Sequence, residues 1–287
     1  MKPGTWMHTL AVVLSSLASA VAHPVHAKVS ESKFSKKKKL KEGVSLRVVD
    51  LTSDNPPAGD PPFAQMTERY PWRRNIVTTT FWVGERPSKK NPVPNHISCW
   101  DEHWAKNYGG TDDPEPNARR DFIPVNFTPR QNPFYVALPY NDKSRDGHKN
   151  EASLVIPWFK EAYEGPGKSV CKGRWIAIRN PTNGSVCYAQ WEDAGPFRTD
   201  HWQYVFGNER PKPNLNRGAG LDVSPAVRDF LGMNDTDVTD WKFVEFNEVP
   251  EGPWARHGDN NTFVMNKRRE AQSIAQTNAR KANAVLD

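Results

Sequence analysis

CYAQWEDAGPF (Cys187–Phe197) and GAGLDVSPAVRDFLGM (Gly218–Met233) decide how this chain is read. The first opens as an aromatic, alternating run, the mark of a strand. It ends at Gly195-Pro196, which turns the chain as soon as the strand stops. In the second, Ser224-Pro225 is an N-cap followed by proline at the first helical position. Gly232 stands where a helix running to Leu231 would stop. Just upstream, RWIAIR (Arg174–Arg179) and SVCYAQW (Ser185–Trp191) alternate on either side of Asn183-Gly184, a strong hairpin signal.

Working outward, three more stretches read as strands: IVTTTFWV (Ile76–Val83), FYVAL (Phe134–Leu138) and WKFVEF (Trp241–Phe246). Ser88–Arg120 is rich in proline and glycine and reads as loop, with a short helix within His96–Lys106. Ala152–Ala162 predicts another short helix. Short strands joined by proline- and glycine-rich connections point to a small barrel or sandwich. The domain is placed at 72–254. It is preceded by a basic, proline-rich disordered linker over 28–71 and followed by a polar tail over 255–287 that can be helical.

The two opening motifs resemble the double-psi β-barrel domain of the rare lipoprotein A family. That superfamily also holds expansins, barwin-like proteins and related endoglucanases. Asp193, Gly195, Pro196 and Phe197 match its Asp-x-Gly-Pro-Phe element. Asp222, Val223, Ser224, Ala226, Leu231, Gly232 and Met233 match the element that leads into its helix. The resemblance covers about Arg174–Phe246 and implies a mainly-β fold, a six-stranded double-psi barrel with a long loop insertion and short helices. It implies action on, or binding to, cell-wall or other polysaccharide, peptidoglycan included. The activity would be that of a lytic transglycosylase or glycosidase; the alternatives are non-catalytic, expansin-like glycan binding and a structural extracellular protein. In the endoglucanases the acid before the helix donates the proton, the position of Asp222, and an acid on the first strand is the base. In rare lipoprotein A the acid at the position of Asp193 is the principal one. That family's Thr-Ala-Ala-His element has its counterpart within Asn126–Asp142, where there is no histidine.

The residues themselves allow the same chemistry. Asp193 sits at a turn on a strand end, Glu85 follows the first strand, and Asp222 lies just before a helix, whose free N–H groups favour its ionised form. Carboxylates in one cleft with different protonation states are what glycosidic cleavage asks for. Trp191, Trp202, Phe197 and Trp82 are the candidate sugar platforms, because aromatic faces stack on sugar rings. His96, Cys99 and His103 have ligand-like spacing but no clear fourth partner, so no metal and no cofactor is expected. No phosphate-binding loop, dinucleotide fingerprint or nucleophile elbow appears.

The ends of the chain bear on its address. Lys2, the apolar run Thr9–Ala22 and small-residue endings up to Ala27 read as a cleaved signal peptide over 1–27, hence a secreted or periplasmic protein. Lys28–Arg47 carries eight basic and two acidic residues, and Asp259–Asp287 five basic and three acidic, while residues 48–258 are net −3. A basic end can contact anionic wall polymer or lipid headgroups. The acidic middle argues against nucleic acid, which wants a basic face on the folded domain. In an oxidising compartment Cys99, Cys171 and Cys187 suggest one disulfide and one free thiol.

Overall fold

The computed structural model describes residues 69–89 and 91–283. The expected signal peptide and all but the last residues of the expected linker lie outside them.

Six strands close into a mixed β-barrel: β1 (Arg73–Thr80), β2 (Tyr135–Leu138), β3 (Trp175–Arg179), β4 (Val186–Ala194), β5 (Leu221–Val223) and β6 (Thr236–Phe243), in the order β1-β6-β3-β4-β2-β5. Two contacts are parallel, β1 with β5 and β2 with β4; the other four are antiparallel. β3 and β4 form the hairpin read from Asn183-Gly184, and Gly184 takes the positive φ of 76° that the turn requires. Between β5 and β6 lies helix α5 (Pro225–Leu231). The Ser224 hydroxyl accepts from Val227 N–H at 3.3 Å, and Gly232 ends the helix at φ 63°. Inside the barrel, Val136, Leu138, Ile176, Trp191, Leu221 and Trp241 are buried together.

Strand β4 is irregular where it matters. Val136 faces Trp191, but the next residue of β2, Ala137, faces Asp193. Glu192 is therefore an extra residue, a β-bulge that changes which face the following side chain takes. Without it, Trp191 and Asp193 would share a face. With it, Trp191 enters the core and Asp193 turns away from it.

The expected insertion is two ordered excursions on either side of β2. Residues 81–134 carry helix α1 (Trp104–Tyr108) and bury Phe81, Val83, Trp104 and Tyr108 against Tyr135 and Ala137, a second apolar cluster. Its anchor is polar. Asp112, fully buried, is paired with Arg119 and accepts from the Tyr135 hydroxyl at 2.9 Å. Arg119 also reaches the Phe122 carbonyl at 2.8 Å and Asp229, on α5, at 3.3 Å. Residues 139–174 hold α2 (Ala152–Val155) and α3 (Phe159–Ala162), two short helices where one was expected, because Pro157 breaks the run. The short α4 (Trp202–Val205) follows β4, and α6 (Thr262–Asn283) forms the tail. The first turn of α6 docks on the barrel: Trp175 Nε1 donates to Thr262 Oγ1 at 3.0 Å, and Phe263 packs on Trp175. Among the described residues no helix is long and apolar enough to cross a membrane.

Burial pushes the Asp112 carboxyl up, and Arg119 opposes that shift. Removing the guanidinium leaves the carboxylate uncompensated in an apolar site. Arg119→Met is expected to cost about 3–5 kcal/mol in chemical denaturation, and the double variant Arg119→Met/Asp112→Asn clearly less. Equal losses in both would show that the ion pair does not anchor the segment.

Candidate functional site

One row of five residues, taken from five adjacent strands, lines a cleft of about 1080 Å³. The register aligns Thr236 (β6) with Thr79 (β1), Thr79 with Asp222 (β5), Asp222 with Ala137 (β2), and Ala137 with Asp193 (β4). Residues aligned across strands share a face. Asp222 and Asp193 therefore flank Ala137, their backbones two strand spacings or ~10 Å apart. The methyl of Ala137 leaves room between the carboxyl groups. Gly195 keeps that room open: a Cβ there would stand 3.5 Å from Asp222 Oδ2 and 3.7 Å from the Ala137 Cβ.

The excursion between β1 and β2 completes the cleft. It supplies Glu85, whose Oε2 accepts from the side-chain amides of Asn91 at 2.9 Å and Asn95 at 2.8 Å. It also brings Cys99 over Asp193. Asp193 Oδ1 accepts from the Cys99 and Ala194 N–H groups, each at 2.8 Å. The Thr79 hydroxyl donates to Asp222 Oδ1.

All three carboxyl groups are held toward their protonated forms, with burial as the largest cause in each. Asp193 is raised to about 6, against the pull of its backbone N–H donors. Asp222 is raised to about 7; the Thr79 hydroxyl opposes this, and the charges of Glu85 and Asp193 add to it. Glu85 is also raised, with its two asparagine amides opposing. Asp222 thus gives up its proton later than Asp193, although the two influence each other and titrate as a pair. The sequence reading of Asp222 as favoured in its ionised form is corrected. The helix-start N–H of Val227 is taken by Ser224, so desolvation at Asp222 wins.

The structure brings together Asp193, Asp222, Glu85, Phe197 and Trp82. Phe197 is 40% exposed at the cleft. Two of the expected platforms are elsewhere. Trp191 is 0% exposed, packed in the core edge-on to Trp100, because the Glu192 bulge turns it inward. Trp202 begins α4 and packs against the core, outside the cleft lining. The expected disulfide is corrected too: Cys99, Cys171 and Cys187 are all free. The hairpin register sets Cys187 opposite Ile178, while Cys171 lies seven residues before Ile178, at the other end of β3, on the order of 20 Å away. Among the described residues no group of three or more His, Cys, Asp and Glu could hold a metal ion. Sequence reasoning missed Thr79, Ala137 and Cys99 as parts of the site. Ordinary residue types reach it through strand register and loop path, which leave no local pattern.

The bulge residue is itself unusual. Glu192 is 2% exposed; its Oε1 accepts from Asn260 Nδ2 at 3.1 Å, and its Oε2 has no partner. Burial raises it to about 7, with Lys172 opposing. An acid whose folded pKa exceeds its unfolded value loses stability as pH rises between the two, so the penalty is full above about 7. Glu192→Gln is expected to raise the unfolding midpoint at pH 8 by about 2–4 °C or more relative to wild type, and not at pH 4. Melting curves at both pH values check this, and an equal shift at both would contradict it. No protein-family model matches this chain, and a search of curated proteins returns no match.

Proposed function

We propose that the chain binds a polysaccharide in this cleft and cleaves its glycosidic bonds, with Asp222 as proton donor and Asp193 as its ionised partner. The observation that carries this reading is the placement of two half-buried carboxyl groups that line the cleft either side of Ala137, with pKa values of about 7 and about 6. Near neutral pH one holds its proton while the other is charged. General acid chemistry wants a group poised near the working pH. A glycosidic oxygen held above Ala137 would take the Asp222 proton as the bond to the anomeric carbon breaks. Asp193, fixed by two backbone N–H groups, would steady the positive charge that develops on the sugar ring and take the proton of the water that adds to the anomeric carbon, and exchange with solvent returns a proton to Asp222. Glu85 completes the acidic wall and, through its charge, keeps the Asp222 proton in place. Phe197 and Trp82 supply ring faces at the cleft for the sugar.

The strand order supports reading the barrel as the double-psi type: its two parallel pairs, β1/β5 and β2/β4, are joined through the antiparallel contact of β2 with β5. The same reading puts the protein outside the cytoplasm, where polymeric glycans are available, with its lysine-rich end toward anionic wall polymer or lipid. Expansin-like binding without cleavage is the second reading. The double occupation of Asp193 Oδ1 by turn N–H groups favours it, because such bonds also suit a purely structural aspartate.

Incubation with peptidoglycan and with cellulose- and chitin-type glycans, with products read by mass spectrometry, separates the two. Cleavage is expected, with a rate that is highest between pH values of about 6 and 7. Asp222→Asn and Asp193→Asn are each expected to lower it by at least about 100-fold. Retention on a glycan without any product supports the binding module, and products unchanged in both variants would overturn the assigned roles.

A further inference from the structure

The charge on the cleft is one-sided. Among the described residues its lining includes six acidic side chains, Glu85, Glu115, Asp193, Asp222, Asp229 and Asp235, the first, third and fourth of them held toward their protonated forms, against one guanidinium, Arg228, and no lysine. Arg228 is not free to receive an anionic ligand. Its Nη2 holds Asp229 at 2.8 Å and the Pro114 carbonyl at 2.7 Å, and its Nη1 holds Asp235 at 3.2 Å. It acts as a strut between α5 and the 81–134 excursion. Asp229 is further neutralised by Arg119. Glu115 is exposed and, among the described residues, its carboxylate has no ion-pair partner. Asp235 is 87% exposed and bound only at one edge.

Resting on the glycan reading above, we infer that the polymer this cleft takes carries free amino groups, an N-deacetylated amino-sugar glycan. A concave, low-dielectric surface lined with one sign of charge focuses its field and raises the local concentration of the opposite sign. A polymer bearing uronates or phosphates meets repulsion, with no unpaired cation among the described lining residues to offset it. A neutral glycan can offer Glu115 and Asp235 hydrogen-bond donors but no ion pair. An ammonium-bearing glycan gains ion pairs at the rim, while its ring faces meet Phe197 and Trp82.

The test measures binding of the full chain to four sets of oligosaccharides of equal length by calorimetry, at low and high salt. The sets are partly deacetylated chitin, fully N-acetylated chitin, cello-oligosaccharides and oligogalacturonates. The deacetylated set is expected to bind about tenfold tighter than the N-acetylated one at low salt, with the margin shrinking at high salt. The double variant Glu115→Gln/Asp235→Asn is expected to remove most of that margin. Equal binding of the two chitin sets, or tighter binding of oligogalacturonates, would overturn the charge selection while leaving the glycan reading standing. Failure of all four sets to bind would overturn both. Salt dependence in the wild-type chain reads the same term without any substitution.

Discussion

Burial of two carboxyl groups in one cross-strand row is the constraint on which this molecule turns. The row Thr79–Asp222–Ala137–Asp193 crosses four strands, and each member is fixed by backbone pairing rather than by a flexible loop. Desolvation raises both acids, so folding loses stability as pH rises from about 4 toward 7. Perturbed carboxyl groups gathered in one cleft are characteristic of working sites.

Two devices maintain the row. The bulge at Glu192 separates Trp191, committed to the core, from Asp193, committed to the cleft. The 81–134 excursion, tied down by the buried Asp112–Arg119 pair, carries Glu85 and Cys99 to their places. Arg119 contacts Asp229 and Arg228 contacts Pro114, so the same segment is braced against α5. The wall and floor of the cleft thus belong to one network of polar contacts. That network also explains why Arg228, the one guanidinium among the described cleft residues, is structural.

Much of this was legible in the chain. The Asn183-Gly184 hairpin, the Ser224 cap and the Gly232 stop are local signals, and each sits where local chemistry puts it. Asp193, Asp222 and Glu85 could be named because each stands next to a turn, a helix start or a strand end. What could not be read is whatever depends on register. A bulge of one residue reverses the facing of Trp191, and no pattern within CYAQWEDAGPF announces it. The protonation of Asp222 was misread for a related reason: the helix-start N–H groups are visible in sequence, but the burial that outweighs them is not. The same hairpin register holds Cys171 and Cys187 at opposite ends of β3, which keeps these two from pairing.

The central claim is that one row of the barrel holds two aspartates in different protonation states near neutral pH. The most direct measurement is a carbon NMR titration of the aspartate side-chain carboxyl groups, with Asp193→Asn and Asp222→Asn used to assign the signals. Two aspartates should titrate with apparent midpoints near 6 and near 7, and removal of Asp193 should lower the upper midpoint. Titration of every assigned aspartate below about 5, as for ordinary surface carboxylates, would contradict it.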